Sequence, residues 1–131
     1  MDRDRLLLQL TQYRKAMSAL ADAIATDDGD KKSRDSILLS FVFTFEMAWK
    51  SLKTALALRG LKAPDFAAAV LKAGVQAGVI EDIQMWDLLK DHRNDVSHAY
   101  DQDKAIAIAA FVREEAMEQF ANLLSRIEAD E

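Results

Sequence analysis

Leu6, Leu10, Tyr13, Met17, Leu20 and Ile24 recur at intervals of three and four near the start of the chain. That spacing places them on one face of a helix, predicted over residues 4–25. Thr26-Asp27-Asp28-Gly29-Asp30 follows, a run of turn formers that ends it. Ser33 is then expected to cap a second helix, and Gly60 to close it from the position just past its C-terminus. Between them Ile37, Leu38, Phe41, Val42, Phe43, Phe45, Met47, Ala48, Trp49, Leu52 and Leu56 cover more than one side. A helix apolar nearly all round belongs in the middle of a bundle or along a subunit interface. The aromatic and β-branched residues of 41–45 would also suit a strand, but the unbroken three–four spacing through Leu56 favours helix.

Ala63-Pro64-Asp65 predicts the start of a short third helix, with Pro near the first turn, where its missing N–H is harmless. This helix carries Phe66, Val70 and Ala73 and is expected to end near Gly78. A fourth begins around Glu81-Asp82, acidic residues that suit a helix N-terminus. Its stripe, Ile83, Trp86, Leu89, Arg93 and Val96, passes from apolar to charged along its length. Tyr100-Asp101-Gln102-Asp103 breaks the chain, and either Asp can cap the last helix. There Ile106, Ala110, Arg113, Met117, Phe120, Leu124 and Ile127 alternate by four and three, predicting a seam against other helices. Arg113 is its one polar member, expected to reach out at the rim rather than into a site. The pattern as a whole predicts an all-α, up-and-down four-helix bundle with one additional short helix. No repeat, low-complexity tract or second domain interrupts it, so residues 1–131 read as a single domain.

Composition agrees. Half the residues are hydrophobic, and only four Gly and one Pro interrupt 131 positions, which favours helix. The absence of cysteine excludes disulfides and thiolate metal sites and fits a reducing compartment. The mixed charges of Met1-Asp2-Arg3-Asp4-Arg5 do not make a signal peptide, and no apolar run approaches the ~20 residues of a membrane span. A cytoplasmic chain without membrane contact is the expectation. The net charge of −5 alters the functional picture more. A protein that holds nucleic acid through many phosphate contacts is usually basic on at least one face. DNA binding is therefore not expected, and any RNA or nucleotide must be held locally or with a second chain's help.

The candidate chemistry lies in Arg93-Asn94-Asp95-Val96-Ser97-His98-Ala99-Tyr100. Arg93 and His98 are five positions apart, roughly 140° around an ideal helix, and so do not share a face. They converge only if the helix loosens after Val96 or if a second copy supplies half the site. Asn94, Asp95, Ser97, Tyr100 and Asp101 add polar groups. The plainer reading is that Arg and His sit near a helix C-terminus because cations complement its dipole.

RNDVSHAY resembles the motif of the HEPN proteins: Arg, a polar residue, a short gap, His, one residue, then Tyr. With FVFTFEMAWKSLK in the second helix and IQMWDLLKDHRNDVSHAYD in the fourth, the chain resembles the HEPN-fold nucleotidyltransferase substrate-binding proteins, kin of the toxins in HEPN–MNT toxin–antitoxin pairs. The resemblance implies a homodimer and a minimal nucleotidyltransferase as partner. It implies that Arg93 and His98 form a metal-independent ribonuclease site across the dimer, with Asn94 orienting the phosphate or the His. An imidazole titrates near neutrality, as removal of a 2′-OH proton requires, and a guanidinium fork suits phosphate oxygens. Tyr100 matches the tyrosine that a partner transferase modifies with AMP in some pairs, and Ser97 and Asp101 flank it on the same surface. Neither metal nor cofactor is implied.

Other residues read more simply. Glu46 and Lys50 form a helix-surface pair at i, i+4, with Glu46 also in reach of the site from among core aromatics. Trp49 and Trp86 are core packing rather than base-stacking platforms. His92 beside Asp91 and Asp95 is no metal site without further ligands. No Gly-rich phosphate loop or transferase carboxylate pair is present, so the chain is not itself the nucleotidyltransferase. Three functions stand: a substrate-binding partner of such a transferase, an RNA endonuclease toxin silenced at Tyr100, and a structural helical module.

Overall fold

The computed structural model describes residues 2–129, and among them every regular element is helical. Helix α1 spans Asp2–Ala25, α2 Lys31–Leu58, α3 Ala67–Gln76 and α4 Ile83–Asp95. A 3-10 turn, Val96–His98, extends α4. Helix α5, Gln102–Phe111, runs through a π turn, Val112–Ala116, straight into α6, Met117–Ala129. Four long rods, α1, α2, α4 with its turn, and the continuous 102–129 helix, make an up-and-down bundle, and short α3 packs beside α2 and α4.

The all-round apolar helix is central. α2 packs against each of the other five helices and buries Ile37, Leu38, Phe41, Phe45, Ala48, Trp49, Leu52 and Leu56. Phe41 meets Phe120 at 6.1 Å between ring centroids, Phe120 meets Trp86 edge-on at 5.8 Å, and Trp86 meets Phe45 at 6.2 Å. These rings tie α2, α4 and α6 together, and such pairs add to the burial of their large apolar surfaces. Trp49 and Trp86 are thus core residues, as expected. The Tyr13 hydroxyl donates to the Phe120 carbonyl at 2.6 Å, joining α1 to α6 inside the core.

Three local expectations are corrected. The cap of α2 is Asp30, not Ser33: the Asp30 carboxylate accepts from the Ser33 N–H at 2.8 Å, leaving Ser33 in the first turn. Hydrogen bonds from Ser33 hold that carboxyl below its usual pKa. Asp30 stands ahead of the first-turn N–H groups that a cap serves, whereas Ser33 carries one of them. Helix α3 begins at Ala67, three residues beyond Pro64. The Phe66 N–H donates back to the Pro64 carbonyl, Phe66 is extended and 55% exposed, and Asp65 pairs with Lys53 of α2 at 3.2 Å.

The third correction concerns the seam of the last helix. Its buried positions are Ala105, Ala109, Val112 and Ala116, then Phe120, Leu124 and Ile127, joined by Ile108 and Leu123. The first four each precede the predicted Ile106, Ala110, Arg113 and Met117 by one residue. The π turn at 112–116 accommodates one residue more than an α-turn, so the periodicity read back from Phe120 slips by one across it. Ile106 is therefore exposed, and Arg113 leaves the seam to pair with Asp27 of the α1–α2 loop at 2.8 Å.

Candidate functional site

Helix α4 is fixed by the burial of Trp86 and Leu89, and Arg93 continues that inner stripe one turn further on. Its guanidinium meets Glu46 of α2: Nε and Nη2 lie 3.0 and 2.8 Å from one carboxylate oxygen, Oε1. The other oxygen, Oε2, accepts from the Trp49 indole N–H at 3.1 Å. Lys50, the partner expected from helical spacing, stands further off at 4.0 Å. Glu46 therefore belongs with the motif, its closest ion pair being with Arg93.

Beyond Asp95 the helix tightens. The Ala99 N–H donates to Val96 and the Asp101 N–H to His98, closing a 3-10 turn that changes the pitch after Val96. The Ser97 hydroxyl donates to the Asn94 carbonyl at 3.0 Å and so serves this turn. Asp101 caps α5, its carboxylate accepting from the N–H groups of Asp103 and Lys104 at 3.0 and 3.4 Å. Arg34 of α2 donates to Gln102 at 2.7 Å and ties the start of α5 down. The motif thus runs beside α2 from Glu46 back to Arg34, twelve positions or about 18 Å of helix.

His98 and Tyr100 emerge from this frame. His98 is exposed and Tyr100 is 82% exposed, with their rings edge-on at 6.1 Å. Asn94 and Asp95 are exposed as well. Among the described residues no hydrogen bond joins Arg93 to His98. The arrangement brings Arg93, Glu46 and Trp49 together, and His98 with Tyr100, as two neighbouring groups along one segment.

Two features escaped the sequence. His92 packs its ring on Phe111 at 4.2 Å and has a buried Nδ1 without a hydrogen-bond partner among the described residues. It serves the α4–α5 contact, and no cluster that could hold a metal is found among the described residues. Leu39 and Phe43 of α2 are 73% and 55% exposed. They share a stripe with Glu46 and Lys50 at spacings of four, three and four, so an apolar ridge adjoins the Arg93 site. Two large apolar side chains thus stand in solvent beside the polar site.

Comparison with known proteins agrees with this frame. Residues 8–129 match the model of the family described as nucleotidyltransferase substrate binding protein like. A Haemophilus influenzae protein named probable ribonuclease HepT is 34% identical over 74 residues, 53% of this chain and 51% of the relative. The chain thus spans about half the length of that curated relative. A crystal structure of a Thermus thermophilus protein superposes with a TM-score of 0.73, covering 89% of this chain and 96% of the other at 23% identity, which speaks for the fold. Among the described residues no helix is long and apolar enough to cross a membrane.

Proposed function

Because the chain belongs to the HEPN-fold family of nucleotidyltransferase substrate-binding proteins, we propose that it is the substrate-binding partner of a separately encoded minimal nucleotidyltransferase and acts as a homodimer in a toxin–antitoxin-like pair. The observation that carries this reading is Tyr100, a phenol held out in solvent on a short turn stiff on both sides. The 3-10 turn anchors it before, and the Asp101 cap anchors it after. A rigidly presented hydroxyl suits a second enzyme that must bring its own nucleotide to it. Transfer of AMP would join the Tyr100 oxygen to the α-phosphorus of ATP and release pyrophosphate. Mass spectrometry of the chain co-expressed with the nucleotidyltransferase encoded nearest its gene is expected to find an AMP adduct on Tyr100, absent in Tyr100→Phe. The absence of both an adduct and co-purification would sink the proposal.

A second reading, metal-independent RNA endonuclease, is supported by the name of the Haemophilus relative and by the motif itself. Here His98 takes the proton of a ribose 2′-OH as that oxygen attacks the adjacent phosphorus. The P–O5′ bond breaks, the 5′-oxygen leaves with a proton from water, and a 2′,3′-cyclic phosphate remains. Arg93 steadies the charge on the phosphoryl oxygens. The two groups lie apart on one chain, so a second copy placed over the Leu39–Phe43 ridge would complete the groove. The acidic balance of the chain makes that pairing more important, since few other cations hold RNA. AMP on Tyr100 would then add negative charge beside His98 and block phosphate entry, linking the two readings.

A further inference from the structure

We propose that Glu46 is the positioning residue of this site, fixing the Arg93 guanidinium by one edge so that the other edge stays presented to a phosphate oxygen. The inference rests on the reading of Arg93 as the phosphate-binding cation. Both Arg93 donors that Glu46 engages, Nε and Nη2, lie on the same side of the guanidinium and converge on Oε1. The second Nη2 hydrogen and both Nη1 hydrogens find no other acceptor among the described residues, and the side chain is 36% exposed. Three N–H groups in a planar fork are thus left for an anion, the geometry that makes Arg suited to phosphate.

The carboxylate is itself held in place. Trp49 is buried, its indole N–H can only donate, and it takes Oε2 at 3.1 Å. With one oxygen on Trp49 and the other on Arg93, Glu46 cannot rotate without breaking a bond. Its negative charge offsets that of Arg93, so the pair gives up some attraction for the substrate and gains a fixed direction. Transition-state charge is better served by a preorganised donor than by a mobile one.

The same wiring predicts an unusual response to conservative substitution. An amide has one acceptor oxygen and an NH2 that only donates. Glu46→Gln can therefore accept from Arg93 or from Trp49, but not from both, whereas Trp49→Phe removes the competing donor. The double variant Glu46→Gln/Trp49→Phe should recover the Arg93 contact that the single variant disturbs.

The test measures cleavage and binding of a short single-stranded oligoribonucleotide, with its all-2′-deoxy counterpart as an uncleavable ligand. Side-chain N–H spectra of Arg93 and Trp49 are recorded alongside, assigned by Arg93→Lys and Trp49→Phe. Glu46→Ala is expected to lower kcat between about ten- and a hundredfold while leaving KM unchanged or lower. Glu46→Gln should move both N–H signals, and the double variant should restore that of Arg93 and part of kcat. Unchanged kcat, or kcat rising with affinity as it would if Glu46 merely competed with phosphate, would overturn the proposal. Signals of Arg93 indifferent to Glu46 would do so too. If the wild type cleaves no RNA, the nuclease reading falls separately. The proposal then stands or falls on whether Glu46→Ala alters the response of Arg93 to the deoxy ligand.

Discussion

Tyr13 shows how much one side chain can carry. Its ring is buried between α1 and α6, and its hydroxyl finds the Phe120 carbonyl at 2.6 Å. Tyr13→Phe keeps the packing and removes the donor, so a loss of about 1 kcal/mol in a urea titration is expected. Burial also pushes the phenol well above its ordinary pKa. A raised pKa means that the folded state holds the proton more tightly than the unfolded chain, whose tyrosine ionises near pH 10. The contribution is therefore complete below about pH 10 and lost as pH climbs from there toward the folded value. Urea midpoints followed through that range should fall for the wild type, and Tyr13→Phe should lack that share of the fall. Leu6, Leu10 and Leu20 were legible as the buried face of the same helix because their spacing is local. The Tyr13–Phe120 bond was not, since 107 positions separate its ends. Glu46 was placed within reach of the site, but its pairing with Arg93, 47 positions away, ranked behind the Lys50 that helical spacing pointed to.

At the scale of the element, the turn formers marked where helices stop better than which residue caps them. Gly60 and Gly78 both end helices with positive φ, as their positions suggested. Ser33 was expected to cap α2, but the extended backbone at Asp30 makes that residue the cap. Asp101 caps the helix that follows Tyr100. Asp101→Ala leaves two N–H groups of α5 unserved and is expected to lower stability by about 1 kcal/mol. Hydrogen exchange should accelerate at Asp103 and Lys104 and leave α1 unchanged. An equal acceleration throughout the bundle would show that the cap is not a local device. A loosening after Val96 was expected as one way to reconcile Arg93 with His98, whereas the 3-10 turn at Val96–His98 tightens the helix instead. Its sequence, Val-Ser-His, carries no breaker, and what ends the α-helix here is a set of backbone contacts with Ala99 and Asp101.

At the scale of the whole molecule, the proposal turns on association. An apolar ridge at Leu39 and Phe43 beside a charged segment, on a chain of net charge −5, fits a surface that another protein covers better than one left open. Sizing in solution is expected to give twice the 14.7 kDa chain mass, and Leu39→Glu/Phe43→Glu should return it to one without unfolding. A wild type that elutes as a clean monomer removes the composite groove. Expressed without a partner, the chain should slow growth, and His98→Ala should relieve the effect while keeping the fold. Harmless expression with intact RNA would end the toxin reading. The fold class was plain from periodicity, since almost every core position lies on a three–four repeat. The meeting of the site's parts was not, because it depends on how rods pack side by side.

The π turn at Val112–Ala116 also bears on how this chain is compared with its relatives. A π turn holds one residue more than an α-turn, so the helix keeps one register before it and another after it. Aligned without a gap to a regular helix and anchored at Phe120, the chain would set Ile106 and Ala110 in seam positions that Ala105 and Ala109 fill here. A gap among residues 113–115 shifts Ala105, Ala109 and Val112 back onto the seam.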